Sequence, residues 1–266
     1  MMMQPLIQSF EKNVTHVTYA VETSHFHTGY EFIFVTEGTV TMKVDDKICT
    51  LTAPGILLLN PFEAHKLLSS SENYKRHVLV LHAEALEQNT APRLIAALKC
   101  RPKGYQSILQ PDAQMFERLL ELLEQIGAEM QTEQIFHNEF LYNAIHNLLI
   151  LLFRLQPDVL PINKSMLEVQ TYIDTQYADI ENLQELCQHF FVSPSHFSRA
   201  FKEYSGYSPS QYLLNTRLHH AKELLLNTDL QVGEISRAIG FRDTNNFIRQ
   251  FRHKEGVSPN TFRVKS

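Results

Sequence analysis

The sequence predicts an α+β protein of two parts: a β-barrel carrying a helical hairpin, then an all-α segment with two helix-turn-helix motifs. Three observations predict it. Residues 14 to 82 hold short β-branched or aromatic runs separated by turn signals every 8 to 12 residues or so, which is the rhythm of a sandwich or barrel. From Pro111 the apolar spacing lengthens to i, i+3, i+4, i+7, which is helical. Past residue 164, a block of short helices matches itself at an offset of 50 residues.

Strands are expected at Glu31 to Thr36, Val40 to Val44, Ile48 to Thr52, Ile56 to Leu59 and Arg76 to Leu81. Gly38, Asp45-Asp46, Pro54-Gly55 and Asn60-Pro61 fall between them as turns. Phe116, Leu119, Leu120, Leu123, Ile126 and Met130 form one helical stripe, and Leu141, Ile145, Leu148 and Leu152 a second. Pro157 and Pro161 break the pattern, because proline cannot donate a helix hydrogen bond and disfavours helix in the residue before it. The expected organisation is a barrel over 1–110, a hairpin over 111–156, a linker over 157–164 and an all-α domain over 165–266.

Length and composition agree with this layout. The chain has 266 residues, enough for two domains at roughly 100 to 200 residues each, and it is 44% hydrophobic and 20% charged, which excludes wholesale disorder. The strongest apolar run, Leu148 to Phe153, is far shorter than the ~20 residues of a membrane span, and Met1-Met2-Met3-Gln4-Pro5 lacks a basic signal-peptide start. A cytoplasmic protein without membrane contact is therefore expected. Cys49, Cys100 and Cys187 are too far apart for a CxxC pair and are read as buried small apolar groups.

In the repeat, Phe191, Phe197, Arg199, Phe201, Gly206, Ser208 and Pro209 recur as Phe241, Phe247, Arg249, Phe251, Gly256, Ser258 and Pro259. Leu183, Leu186 and Phe190 recur as Val232, Ile235 and Ile239 at an offset of 49, so one residue is inserted around Gly240. Each copy reads as a short helix, a turn and a second helix ending at glycine, which is the grammar of a helix-turn-helix; Ser193-Pro194, Ser208-Pro209 and Ser258-Pro259 read as helix starts. Asp179 or Glu181 is the expected start of the first short helix.

Helical periodicity divides the second helix of each copy, 194–205 and 243–255, into two faces. Phe197, Ala200, Phe201 and Tyr204 turn inward, leaving Ser195, Ser198, Arg199 and Lys202 outside; in the second copy Phe247 and Phe251 turn inward, leaving Thr244, Asn245, Ile248, Arg249 and Arg252. Arg pairs with guanine, Asn with adenine, an apolar group with the thymine methyl, and Ser, Thr and Lys hold phosphates. His196 stands beside this face as a phosphate contact. A solvated surface would carry similar residues once, but solubility does not require arginine at the same place twice. Charge points the same way: the chain totals 24 basic against 29 acidic residues, yet Ser195 to Ser266 has 11 against 6, a net of 11 − 6 = +5.

These residues closely resemble the DNA-binding region of the AraC/XylS family of transcription regulators. The resemblance runs through Gly240-Phe241, Phe247, Arg249, Phe251, Arg252, Gly256 and Ser258-Pro259 to Phe262-Arg263, over roughly 165–264. Asn246 stands where an aromatic is common. The resemblance implies that Ser195, Ser198, Arg199, Thr244, Asn245, Ile248 and Arg249 contact bases, that double-stranded promoter DNA and RNA polymerase are partners, and that the chain is an activator working as a homodimer.

The first part resembles the cupin-type effector domain of that family. His25-x-His27-x3-Glu31-x6-Gly38 is similar to the first cupin motif, and Pro54-Gly55, Asn60-Pro61 and His65 loosely resemble the second. Three roles are open for the histidines and Glu31: metal ligation, hydrogen bonding within the barrel, or polar contact with a small-molecule effector such as a sugar or metabolite. Effector contact by His25, His27, Tyr30, Glu31 and His65 is the reading adopted, with no catalytic residue, no metal and no cofactor. The rival is a metal-dependent cupin enzyme with an appended DNA-binding module. A third reading, a DNA-binding protein regulated only by its abundance, needs no effector.

Overall fold

A computed structural model describes residues 5–15, 26–44, 47–100, 105–132, 134–156 and 163–265. The chain divides into two compact units, 1–99 with 104–160, and 100–103 with 161–266.

The first unit has two antiparallel sheets. The strands are β1 (Ile7–Thr15), β2 (Tyr30–Glu37), β3 (Thr39–Val44), β4 (Lys47–Thr52), β5 (Gly55–Leu59), β6 (His65–Ser70), β7 (Lys75–Leu81) and the short β8 (Ile108–Leu109). One sheet runs β1-β7-β2-β5-β8 and the other β4-β3-β6. Side chains alternate across a strand, so β2 sends Ile33 and Val35 between the sheets, to meet Val40, Met42, Leu51, Leu57, Leu59 and Leu67. Tyr30, Phe32 and Phe34 go to the other face, against a helical layer. Burial on both faces explains why β2 and β5 read as continuous apolar runs.

That layer contains α1 (Ala83–Asn89), α2 (Pro92–Lys99), α3 (Ala113–Glu129) and α4 (His137–Arg154). Asp112 caps α3 by accepting from the Met115 amide at 2.8 Å. The hairpin stripes read from the sequence are the buried faces of α3 and α4, including Leu119, Leu123, Ile126, Ile145, Leu148 and Leu152. The sequence reading missed five elements of this unit: β1, which alternates through mostly polar residues, β6, the two-residue β8, and the short α1 and α2, which are too brief for a full helical period to show.

The second unit holds α5 (Lys164–Gln176), α6 (Leu183–His189), α7 (Pro194–Ser205), α8 (Pro209–Asn227), α9 (Val232–Ala238), α10 (Thr244–Glu255) and α11 (Pro259–Lys265). α5 starts at Lys164, at the end of the stretch assigned to the linker, with Asn163 accepting from the Met166 amide. The cap of α6 is Asn182 rather than Asp179 or Glu181. Ser208 caps α8 in a full capping box with Gln211. In each copy two fully buried phenylalanines stand four residues apart, Phe197 with Phe201 and Phe247 with Phe251. The next helix supplies an edge-on ring to the second of each pair: Tyr212 lies 5.4 Å from Phe201, and Phe262 lies 5.4 Å from Phe251.

The repeat has a different register in the turn from the one its identities suggest. Phe191 has φ 52° and Gly240 φ 81°, so these two occupy the same left-handed position. Val192 and Phe241 then follow, each donating its amide to the carbonyl five residues back, Cys187 and Ser236. Phe191 is thus not the counterpart of Phe241. The inserted residue is Arg242, whose guanidinium pairs with Glu181. Phe241 is buried whereas Phe191 is 96% exposed.

A Cβ on Gly240 would stand 2.2 Å from the Ala178 carbonyl oxygen. Gly240→Ala should therefore lower stability by at least the ~1–3 kcal/mol of a forced left-handed residue. Phe191→Gly should raise it by up to ~1 kcal/mol, since it relieves that same strain on an exposed side chain. Urea denaturation of both variants checks this, and a loss of similar size in both would contradict the pairing of Phe191 with Gly240.

Candidate DNA interface and effector site

On α7, Ser195, His196, Arg199 and Lys202 are exposed and Ser198 is half-buried. On α10, Asn245, Arg249 and Arg252 are exposed, and Thr244 and Ile248 are half-buried. The buried phenylalanine pairs fix the rotation of each helix, so a residue two positions after the first phenylalanine points away from the core: Arg199 after Phe197, Arg249 after Phe247. Asn246, in place of an aromatic, accepts a hydrogen bond at 3.0 Å from Arg249 Nη2. The arginine of the second motif is thus steadied by its own helix.

The two helices start differently. Asp243 caps α10, accepting from the amides of Asn245 and Asn246. Ser193 and Pro194 begin α7, but no side chain caps its first turn.

α8 connects the two motifs. Arg217, at its middle, donates to the carbonyls of Tyr177 at 2.9 Å and Ile180 at 2.6 Å, and its guanidinium lies 5.6 Å from the centre of the Phe241 ring. Lys222 donates to Glu255, at the end of α10, at 2.9 Å. His219 and His220, which lack metal-ligand spacing in the sequence, share Glu223: His219 Nε2 lies 3.4 Å and His220 Nδ1 3.0 Å from its two oxygens. Burial raises the Glu223 carboxyl, but the hydrogen bonds and charges of the two histidines outweigh it and hold the group well below the carboxylate norm. A depressed folded value stabilises the fold above the ordinary carboxylate range and loses that contribution as pH falls through the folded value. Glu223→Gln should therefore cost ~1–2 kcal/mol at pH 7. The gap from the parent should shrink below about pH 4.5; chemical denaturation across pH measures it, and a gap that widens in acid would refute the assignment.

In the first unit the structure brings together three of the five residues proposed for the effector. Glu31, on the same face of β2 as Ile33 and Val35, projects between the sheets and is 5% exposed. Its Oε2 lies 3.1 Å from His65 Nε2 and 3.5 Å from His27 Nε2. His65 is 2% exposed, and its Nδ1 lies 3.0 Å from the Glu63 carbonyl oxygen. A carbonyl only accepts, so Nδ1 carries the proton. Burial disfavours the carboxylate of Glu31, yet His65 and then His27 bring its pKa below normal; burial likewise disfavours the His65 imidazolium, yet Glu31 raises its pKa. Tyr30 does not join them. It sits on the opposite face of β2, where its hydroxyl donates to Glu87 at 2.8 Å, because adjacent strand residues face opposite ways. His25 lies outside the described residues. The interior cation that sequence reasoning missed is Arg76, whose charge acts on both Glu31 and His65 and whose Nη1 donates to Tyr74. Its place on the apolar-looking β7 hid it.

A twin helix-turn-helix unit with outward arginines, joined in one chain to a two-sheet barrel, defines a DNA-binding regulator with a sensory domain. The chain belongs to the AraC/XylS family of transcription regulators: a profile described as an AraC-like ligand binding domain matches residues 15–145, and one described as a helix-turn-helix domain matches 186–265. It is similar to the regulator YijO of Escherichia coli strain K12, 39% identical over 95 residues, 36% of this chain but only 34% of YijO. The likeness to the lactose operon transcription activator of Staphylococcus xylosus is 23% and extends over 98% of this chain and 97% of that protein. A crystal structure of ToxT from Vibrio cholerae shares the fold, with a TM-score of 0.53 at 12% identity over 97% of this chain and 98% of that one. No described helix is long and apolar enough to cross a membrane.

Proposed function

We propose that the chain is a sequence-specific transcription activator that reads two neighbouring major-groove segments with α7 and α10, in response to a small molecule held by the barrel. The observation that carries this is the recurrence of an exposed arginine at one position of two repeated motifs, Arg199 and Arg249. These two contact base edges with Ser195, Ser198, Thr244, Asn245 and Ile248. Lys202, Arg252 and His196 contact phosphates, and the uncapped first turn of α7 leaves backbone amides for another phosphate. Effector contact belongs to His27, Glu31 and His65. Effector binding favours one of two conformational populations, differing in how readily the readers engage promoter DNA and RNA polymerase.

Pairing of two chains is supported by α4. Phe140, Asn143, Asn147, Ile150 and Arg154 are all exposed and spaced 3-4-3-4, a heptad seam, and the exposed Phe136 caps the start of the helix. About residue 145 the seam is self-complementary when run antiparallel: Phe140 meets Ile150 and Asn143 meets Asn147. Such matching suits a two-fold dimer.

Binding sites selected from a random duplex library supply the test. Arg199→Ala and Arg249→Ala should each weaken the selected site by ~1–3 kcal/mol and relax base preference, while Lys202→Ala should weaken all sequences alike and reduce the salt slope by about one. Parent-like affinity in both arginine variants would sink the proposal. Phe140→Asp should convert a dimer to a monomer in sedimentation; an unchanged sedimentation coefficient would remove α4 from the interface.

A further inference from the structure

We infer that the barrel binds one divalent transition-metal ion through His27 Nε2, Glu31 Oε2 and His65 Nε2. This rests on the reading of the barrel as the ligand-binding unit and names the ligand. The three donor atoms lie within 4.8 Å of one another, the single such cluster of histidine, cysteine and acidic groups among the described residues. Donors 2.0–2.2 Å from a tetrahedral ion stand roughly 3.4 Å apart, and Oε2 already lies 3.1 and 3.5 Å from the two nitrogens.

Two features point to a cation. The first is the hydrogen bonding of His65. With its Nδ1 proton on the Glu63 carbonyl, a neutral His65 aims the lone pair of Nε2 at a carboxylate oxygen 3.1 Å away. Two lone pairs repel, so the contact is held either by a proton on Nε2 or by a metal ion in the proton's place. A backbone carbonyl orienting the far nitrogen is also how metal-bound histidines are held. The second is Glu31 itself: Oε2 is fully buried and makes no hydrogen bond of acceptable geometry, a cost of about 1–3 kcal/mol or more that a bound ion removes.

The donor set selects the ion. Two imidazoles and one carboxylate suit zinc, cobalt, nickel or iron(II) rather than magnesium or calcium, which prefer all-oxygen sites. Arg76 opposes a second positive charge, since it acts on both Glu31 and His65. Because Glu31 lies on β2 of the larger sheet and His65 on β6 of the smaller, the ion would tie the two sheets together. Of the three residues that would hold the ion, His27 is the one open to solvent.

The test uses the full-length, tag-free protein stripped with chelator, titrated by calorimetry with zinc, cobalt or nickel chloride and assayed for bound metal after dialysis. About one ion per chain is expected, with no heat from magnesium. His27→Ala should weaken binding by at least ~10-fold, and the metal-free variant should still fold by circular dichroism, since His27 is 32% exposed and its loss leaves Glu31 beside His65. Glu31→Gln, which keeps the shape of the side chain, should also lose the ion. The inference is overturned if the parent binds none of these ions at 100 μM or so, if His27→Ala binds them as tightly, or if the ion is lost only from a His219→Ala, His220→Ala variant. A protein that fails this test but still selects DNA sites loses the metal and keeps the proposed function; a protein that binds the ion but selects no DNA loses the function and keeps the metal.

Discussion

The geometry of the second unit depends on the burial of two aromatic rings one helical turn apart. Phe197 and Phe201 in one helix, and Phe247 and Phe251 in the other, each have no exposed surface. A helix that must bury side chains at i and i+4 has its rotation about its own axis fixed, and everything at i+2 is driven into water. The phenylalanines therefore aim the arginines. Each pair is closed by a ring from the following helix, Tyr212 or Phe262, at nearly the same distance and nearly perpendicular. Two copies of one packing arrangement produce two copies of one outward face.

The barrel obeys a different rule. β2 alternates, and with helices on one side and the smaller sheet on the other, neither side is solvent. A charge placed on such a strand cannot escape to water. Glu31 is held among apolar side chains, and its environment is made tolerable by His27, His65 and Arg76. Moving the carboxylate one place along the strand would deliver it to the helical layer, where Tyr30 lies.

Helices with a strong apolar stripe were legible before the structure: α3, α4, α7 and α10 lie close to where periodicity put them, α7 and α10 with glycine stops as well, and α8 was marked by its Ser208-Pro209 start. The convergence of His27, Glu31 and His65 was legible only through resemblance to a motif, since residues distant along the chain meet through sheet pairing that no local pattern records. Tyr30 was misassigned for lack of strand phase, and β6 and β1 were hidden by polar composition. The turn register was misread for an instructive reason. Identity pairs Phe191 with Phe241, but backbone conformation pairs Phe191 with Gly240, and a phenylalanine in a left-handed position is too uncommon for a sequence to announce.

α8 is a single uninterrupted helix of 19 residues, about 28 Å long at 1.5 Å per residue, pinned near its middle by Arg217 and beyond it by Lys222. A rod fastened at several points resists both flexure and torsion. If α7 and α10 read DNA as proposed, the phase between two footprints on the double helix is a property of the protein, and an operator whose half-elements are out of step must supply the bending or unwinding itself. Promoters with flexible pyrimidine–purine steps between those elements would have the advantage, although no side chain ever touches them.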